Sequence, residues 1–139
     1  MVVPTFVGQA LGGRPPTVFG DRRQTRCFCH VGDVVTALVD LVLLDGAAYG
    51  EVFNIGSRDE ISMLGLRDPV REPTASESDI VLVPYEEAYE AYEAGLEDMP
   101  RRYPDVSKIE AAVGWAPTRS LDEILVDVVT WQQAEAAVV

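Results

Sequence analysis

The sequence is poor in the residues that build metal sites and covalent cross-links. Its 139 residues include one histidine, His30, and two cysteines, Cys27 and Cys29. A zinc site would have too few soft ligands, and a disulfide between residues two apart would be strained. Both cysteines are therefore expected to be buried free thiols in a reducing compartment, which predicts a cytoplasmic location.

Long apolar runs and a targeting signal are also lacking. The longest apolar run, residues 34–44, is interrupted by Thr36 and Asp40 and is too short to span a membrane. Met1–Pro4 carries no basic leader, so no secretion signal is predicted. With 47% hydrophobic residues, the chain has enough apolar side chains for the core of one domain over residues 1–139.

Positive charge is scarce and unevenly placed. The chain has 11 Lys and Arg residues against 23 Asp and Glu, which gives a net charge of −12. Most of the acidic excess is in residues 72–139, whereas residues 1–71 are close to neutral. Nucleic acids and anionic membranes are therefore poor partners. A phosphorylated small molecule is compatible with the sequence where arginines cluster, at Arg22, Arg23 and Arg26.

These arginines belong to a segment with a clear pattern. The apolar runs Val18-Phe19 and Cys27–Val31 predict two short strands, and Gly20-Asp21 is a turn pair between them. Asp33 is placed to cap a following helix over Asp33–Asp45. That helix is apolar almost all round, so we expect it to be buried on more than one side.

Further elements are predicted before and after this segment. They are a helix from Pro4 or Thr5 to Leu11, a strand over Glu51–Gly56, a short or broken helix from Ile61 in a region that Pro69 and Pro73 make a loop, a strand over Ile80–Val83, a helix from Asp105 to Gly114 and a last helix opened by the capping box Ser120–Glu123.

The inner faces of the last two helices follow from apolar spacing. Val106, Ile109 and Val113 are expected on one face of the first. In the second helix the expected inner residues are Leu121, Ile124, Leu125, Val128 and Trp131.

An acidic, loop-rich insertion is predicted at about residues 67–98. It contains a tandem repeat, Glu87-Ala88-Tyr89 and Glu90-Ala91-Tyr92. The repeat fits a solvated helix, and it also fits an acidic interaction helix.

The chain resembles the extended short-chain dehydrogenase/reductase family, the NAD-dependent nucleotide-sugar epimerases, dehydratases and decarboxylases. Residues 18–33 are similar to the family segment V-[YF]-G-[DN]-G-x-Q-T-R-x-[FY]-x-[YH]-V-x-D, although arginine stands where the family has its second glycine. Further similar segments follow the family order: Val2–Phe6, Gly50–Gly56, Arg101–Lys108, Gly114–Pro117 and Ser120–Glu123. Met1 would then fall in the middle of a normally continuous enzyme.

Two motifs of the complete family are absent from this sequence. A dinucleotide-binding fold needs a glycine-rich turn after its first strand, and no G-x-x-G-x-x-G or G-x-G-x-x-G occurs. The family's Tyr-x-x-x-Lys pair is also missing, because the only lysine, Lys108, follows Pro104 at that spacing. We therefore predict no catalytic residue and no cofactor bound by this chain alone; NAD belongs to the complete family enzyme.

The resemblance implies a substrate-binding set in what remains. Arg26 and Arg102 would hold a diphosphate, Phe19 would lie near the uracil or ribose, and Val3 and Phe6 would wall the base. Asp105 would steady Arg102 or a ribose hydroxyl. Each residue also has a structural interpretation: Arg26 as a surface strand residue, Arg102 in a pair with nearby acids, and Phe19 in the core. His30 is interpreted as a neutral strand residue without a base partner.

The sequence thus predicts an α/β fold. It would be the carboxy-terminal, substrate-binding portion of an extended Rossmann-type short-chain dehydrogenase, without the complete dinucleotide-binding sheet. The leading functional prediction is the UDP-sugar-binding portion of an NAD-dependent, UDP-glucose 4-epimerase-like enzyme, inactive alone. Its expected partner is either a missing amino-terminal Rossmann half or a second copy of the chain. A stand-alone, non-catalytic nucleotide-sugar-binding module and an acidic protein-interaction module are the alternatives.

Overall fold

The computed structural model describes residues 2–20, 23–44, 46, 48–84 and 99–137. These residues form five helices and four short strands, which agrees with the predicted α/β fold. In chain order they are α1 Val2–Leu11, β1 Thr17–Phe19, β2 Thr25–Cys27, α2 Val31–Leu43, β3 Glu60–Ser62, α3 Arg67–Thr74, β4 Val81–Val83, α4 Ser107–Val113 and α5 Leu121–Ala136.

The strands form two separate two-stranded sheets in the described part of the chain. β1 and β4 pair in parallel, with Val18 opposite Leu82. β2 and β3 pair antiparallel, with Arg26 opposite Ile61. The other side of β2 is joined by a parallel bridge between Thr25 and Arg101. This bridge brings the segment after residue 98 alongside the arginine-containing strand.

The main core lies between α1, α3 and α5, which contact one another pairwise. α1 supplies Val3, Phe6, Val7 and Ala10, at the i, i+3, i+4, i+7 spacing that places side chains on one face of a helix. Leu66 and Val70 come from the turn before α3 and from α3 itself, and Ile124, Leu125 and Val129 come from α5. Three amphipathic faces are thus closed against each other.

A second, smaller core joins α2 to α4 and to the segment after it. Its buried residues are Ala37, Val106, Ile109 and Trp115. Asp33 ties the first turn of α2 to this segment. Its carboxylate accepts hydrogen bonds from the backbone N–H groups of Thr118 and Arg119, and its own carbonyl accepts one from Trp115 Nε1 at 2.9 Å.

Several predicted features are confirmed. The Ser120–Glu123 capping box is formed in both directions and opens α5. Gly114, with φ of +67°, ends α4 in the left-handed conformation that glycine adopts without a steric cost. Val106 and Ile109 are buried where their spacing placed them. β4 matches the predicted strand 80–83 to within one residue.

The predicted first residues of two helices are wrong. α1 begins at Val2, before Pro4. α2 begins at Val31 and its N-cap is His30, whose Nδ1 accepts from the Gly32 N–H at 2.9 Å. Asp33 is therefore inside the first turn, and its acceptor atoms are used by Thr118 and Arg119.

The predicted strand over Glu51–Gly56 is not formed, because no strand in the described residues pairs with it. The segment instead lies beside α4. Lys108 Nζ donates to the Glu51 carboxylate and to the Val52 carbonyl, and it lies 4.8 Å from the centroid of the Phe53 ring.

The helix predicted from Ile61 is also wrong, because Ile61 lies in β3 and pairs with β2. Helix formation starts only at Arg67, and α3 contains Pro69 and Pro73. In α5, Trp131 was expected on the inner face but is more than half exposed. Val129, which was not expected there, is buried instead.

Residues 67–98, predicted as an acidic insertion, include α3 and β4. The tandem repeat at 87–92 lies outside the described residues, so the insertion stays a prediction. No helix among the described residues is both long and apolar enough to cross a bilayer.

Candidate functional site

β2 and the segment 100–102 place two predicted ligand residues side by side. The parallel bridge joins Thr25 to Arg101, and the Thr25 N–H donates to the Pro100 carbonyl at 3.0 Å. Arg26 and Arg102 each follow this bridged pair by one residue. Since side chains alternate between faces along an extended segment, this register places the two arginines on the same face. The register thus puts Arg26 and Arg102 at adjacent positions of adjoining segments, and their roles as diphosphate ligands stay predictions.

Arg26 also joins the two segments through its own side chain. Its Nη1 donates to the Thr25 carbonyl at 2.7 Å and approaches the Pro100 carbonyl at 3.5 Å. The side chain is half-buried. Arg26 therefore has a structural role at the junction, and part of its hydrogen-bonding capacity is already used there.

The neighbouring Arg101 is held by a carboxylate. Its Nε and Nη2 donate to the two oxygens of Glu60, each at 2.7 Å, in a bidentate pair. Thr25 Oγ1 donates to the same carboxylate, and the guanidinium lies 4.9 Å from the centroid of the Tyr103 ring. Hydrogen bonds from Arg101 and Thr25 lower the pKa of Glu60 to about 2. The pair is consequently charged at any physiological pH.

Asp105 is exposed and its carboxylate serves the start of α4. Oδ1 accepts from the Ser107 N–H at 3.0 Å. This backbone hydrogen bond, with one from the Ser107 hydroxyl, lowers the pKa of Asp105. The Asp105 carbonyl accepts from Asn54 Nδ2 at 3.1 Å. The residue thus fixes the turn that follows Arg102 and joins it to the 51–56 segment.

The three predicted apolar contacts differ in how much surface they leave. Val3 and Phe6 are 5% and 4% exposed and belong to the main core. Phe19, at the end of β1, is 39% exposed. Phe19 therefore has exposed surface that a ligand ring could contact, whereas Val3 and Phe6 have almost none. The ligand roles of all three stay predictions.

An open groove of about 470 Å³ runs past Arg102. It is lined by Cys27, Cys29, Ile55, Gly56, Met99, Arg101, Arg102, Tyr103 and Pro104. Of the predicted set, only Arg102 lines it. Both cysteines are free, and burial is the largest cause that raises the pKa of each thiol. These thiols are therefore protonated near neutral pH and are poor nucleophiles.

Arg101, Glu60 and Thr25 are the residues that the sequence did not reveal. Arg101 directly precedes Arg102, the predicted phosphate ligand. Two consecutive arginines in a sequence do not indicate which of them pairs with Glu60. Glu60 immediately precedes the region predicted from Ile61 as a loop with a short or broken helix, whereas it lies in β3 opposite Cys27. The alternating Glu60-Ile61-Ser62 pattern was the available signal, but three residues are too few to distinguish a strand.

His30 has a partner that was not expected. Because Nδ1 accepts from the Gly32 N–H, the ring proton is on Nε2, which donates to Asp127 Oδ2 at 2.9 Å. His30 thus caps α2 and contacts α5. Both ring nitrogens are used, which suits a structural role.

Comparison with known proteins gives relatives in a single group. The sequence model for GDP-mannose 4,6 dehydratase matches residues 1–128. A UDP-N-acetyl-alpha-D-glucosaminuronate decarboxylase from Bacillus cytotoxicus is 38% identical over 130 residues, which are 94% of this chain and 39% of that protein.

Solved structures agree on the fold. UDP-glucose 4-epimerase from Thermotoga maritima, solved with UDP-glucose, has a TM-score of 0.81 at 28% identity and is matched over 98% of this chain and 40% of its own. UDP-glucuronic acid 4-epimerase from Bacillus cereus, solved with UDP-glucuronic acid and NAD, has a TM-score of 0.79 at 23% identity, over 95% of this chain and 40% of its own.

This chain therefore spans about two fifths of the length of these relatives. The family match over residues 1–128 covers most of this chain. The chain belongs to the GDP-mannose 4,6 dehydratase family, within the extended short-chain dehydrogenases/reductases.

Proposed function

We propose that this chain is the UDP-sugar-binding portion of an NAD-dependent epimerase, dehydratase or decarboxylase. The observation that carries the proposal is the shared register of Arg26 and Arg102 on adjoining segments. Two guanidinium groups on one face suit an anion with several phosphate oxygens, because each group can donate two parallel hydrogen bonds. The names of the relatives, which act on UDP-sugars, support the same ligand class.

The predicted site residues have unequal shares in this proposal. Arg26 and Arg102 would bind the diphosphate, and Phe19 would contact the uracil or ribose from its exposed side. Asp105 would act through the turn after Arg102, which it holds by its bond to Ser107. Val3 and Phe6 would support the base from within the core.

The residues present do not fit a site for NAD. After β1 the chain continues Gly20-Asp21-Arg22-Arg23, and after β4 it continues Pro84-Tyr85-Glu86. Neither sequence has the glycines that a pyrophosphate-binding turn requires. We therefore derive no hydride-transfer step for this chain, and its proposed role is to bind and orient the substrate.

A partner surface follows from the face of α2 that points away from the second core. Six apolar residues there are at least half-exposed: Val31, Val35, Leu38, Val39, Val42 and Leu43. Contiguous apolar patches of this kind mark interfaces. Because the relatives are more than twice as long as this chain, we propose that a nucleotide-binding half covers this face, and that the isolated chain self-associates through it.

UDP binding tests the proposal directly. Calorimetry of UDP against wild type, Arg26→Ala and Arg102→Ala should show about tenfold or weaker binding for each variant, since charge-assisted hydrogen bonds contribute about 1.5–3 kcal/mol. Uridine should bind more weakly than UDP. Arg67→Ala, which removes an arginine of α3 that pairs with Asp79, is the control for lost positive charge.

The outcomes separate the alternatives. Equal UDP binding by all variants would show that the site is wrongly assigned, although a stand-alone nucleotide-sugar-binding module would stand. If the wild type does not bind UDP, the acidic protein-interaction module remains as the alternative. Melting temperatures are needed beside the calorimetry, because Arg26 also holds the junction with Pro100.

A further inference from the structure

Glu60 occupies an unusual position for a residue beside a proposed anion site. It is a carboxylate, and a carboxylate near a diphosphate should weaken binding by charge repulsion. Its two oxygens, however, are taken up by the fork of Arg101, and Thr25 donates to one of them as well. All three residues lie at the junction where β2, β3 and the 100–102 segment meet.

The backbone pairing at this junction is short. Among the described residues, the backbone connections between β2 and the 100–102 segment are the bridge of Thr25 to Arg101 and a hydrogen bond from Thr25 to Pro100. One bridge does not by itself prevent a segment from slipping by a residue. A slip of one residue would turn Arg102 to the opposite face, because side chains alternate in an extended segment.

We propose that Glu60 is a positioning residue for the anion site: by holding Arg101 in a bidentate pair, it fixes the register that places Arg102 beside Arg26. This inference rests on the proposed UDP-binding function. Thr25 supports the arrangement by orienting the Glu60 carboxylate, and Tyr103 supports it through the ring face that contacts Arg101. Arg101 is thereby a structural arginine, distinct from the ligand arginine that follows it.

The proposal predicts an effect of opposite sign to simple electrostatics. Glu60→Gln removes a negative charge near the anion, which by charge alone should tighten UDP binding. Loss of positioning should instead weaken it, by about three- to tenfold, because a guanidinium that is no longer held in place must be ordered on binding. Asp59→Asn is the matched control, since Asp59 precedes Glu60, is exposed and removes the same charge.

The decisive measurement combines calorimetry with a second substitution. In an Arg102→Ala background, Glu60→Gln should have no further effect on UDP affinity, because the residue that it positions is gone. Weakening of the same size in both backgrounds would indicate general loosening and overturn the proposal. Glu60→Gln binding that equals or exceeds wild type would overturn it too.

Amide hydrogen exchange of residues 100–103, without ligand, separates this proposal from the function on which it rests. Exchange should be faster in Glu60→Gln than in Asp59→Asn or wild type. Unchanged exchange would overturn the positioning role even if UDP binds. If the wild type fails to bind UDP while exchange responds as expected, the proposed function fails, whereas the role of Glu60 in holding the 100–102 segment stands.

Discussion

The main core and the α2 region are built from similar side chains but are closed to different degrees. α1 buries Val3, Phe6, Val7 and Ala10 against α3 and α5. α2 is comparably apolar, yet its buried residues in the described structure are only Asp33 and Ala37. Val42 and Leu43 are 80% and 73% exposed.

The difference shows that apolar content does not tell which helix a chain can bury by itself. The main core needs three helices, and this chain supplies all three. α2 has α4 and Trp115 on one side, and nothing among the described residues covers its other side. The α2 region therefore depends more on hydrogen bonds, chiefly those to Asp33, for its attachment to the rest of the chain.

A truncation in each region should give the largest contrast. Leu125→Ala in α5 removes a fully buried side chain and should lower the free energy of unfolding by about 3–5 kcal/mol. Leu43→Ala in α2, the same change at an exposed position, should cost less than about 0.5 kcal/mol. Urea denaturation of both variants measures this, and equal losses would show that α2 is covered in solution.

Asp33→Asn should loosen the α2 region by about 2–4 kcal/mol at neutral pH, because an amide cannot accept from all the donors that now meet the carboxylate. Burial alone would raise the pKa of Asp33, but the hydrogen bonds from Arg119 and Thr118 outweigh it and the net pKa is lowered. Asp40→Asn, on the same helix, is the control.

The pH dependence has a defined sign. Because the folded-state pKa of Asp33 lies below its unfolded value of about 3.9, its contribution is fully present above that value. It is lost as pH falls through the folded pKa. The stability difference between wild type and Asp33→Asn should therefore be constant from about pH 5 to 8 and shrink below about pH 4. A difference that persists unchanged in acid would contradict the role given to the carboxylate.

Local signals in the sequence predicted the elements whose causes are local. The capping box at Ser120 and the stop at Gly114 are set by residues within one turn, and both are formed. The burial of Val106 and Ile109 followed from their spacing in the same way. The family resemblance, carried by motifs such as Gly114–Pro117, was confirmed by the match over residues 1–128.

What failed depends on residues far apart in the chain. Glu51–Gly56 has a strand-like composition, but a strand exists only with a pairing partner. Judged by its sequence neighbours, Asp33 resembles a helix N-cap. The N–H groups that donate hydrogen bonds to its carboxylate, however, lie more than eighty positions away at Thr118 and Arg119. In the same way, the pairing of Arg101 with Glu60 depends on β3, and no local pattern distinguished that strand from a helix.

The α2 face itself gives the clearest test of the comparison, with only a small expected change in stability. Leu38→Glu with Val42→Glu places two charges on the exposed side and should alter the free energy of unfolding by less than about 1 kcal/mol. The wild-type chain should associate with rising concentration and bind a hydrophobic dye, because exposed apolar patches promote both. The double variant should sediment as a monomer, whereas Gln133→Glu with Ala134→Glu, which adds the same charge to the exposed face of α5, should behave as wild type. A wild-type chain that stays monomeric on concentration and binds no dye would show that α2 needs no cover, and the contrast between the two regions would then lie in packing alone.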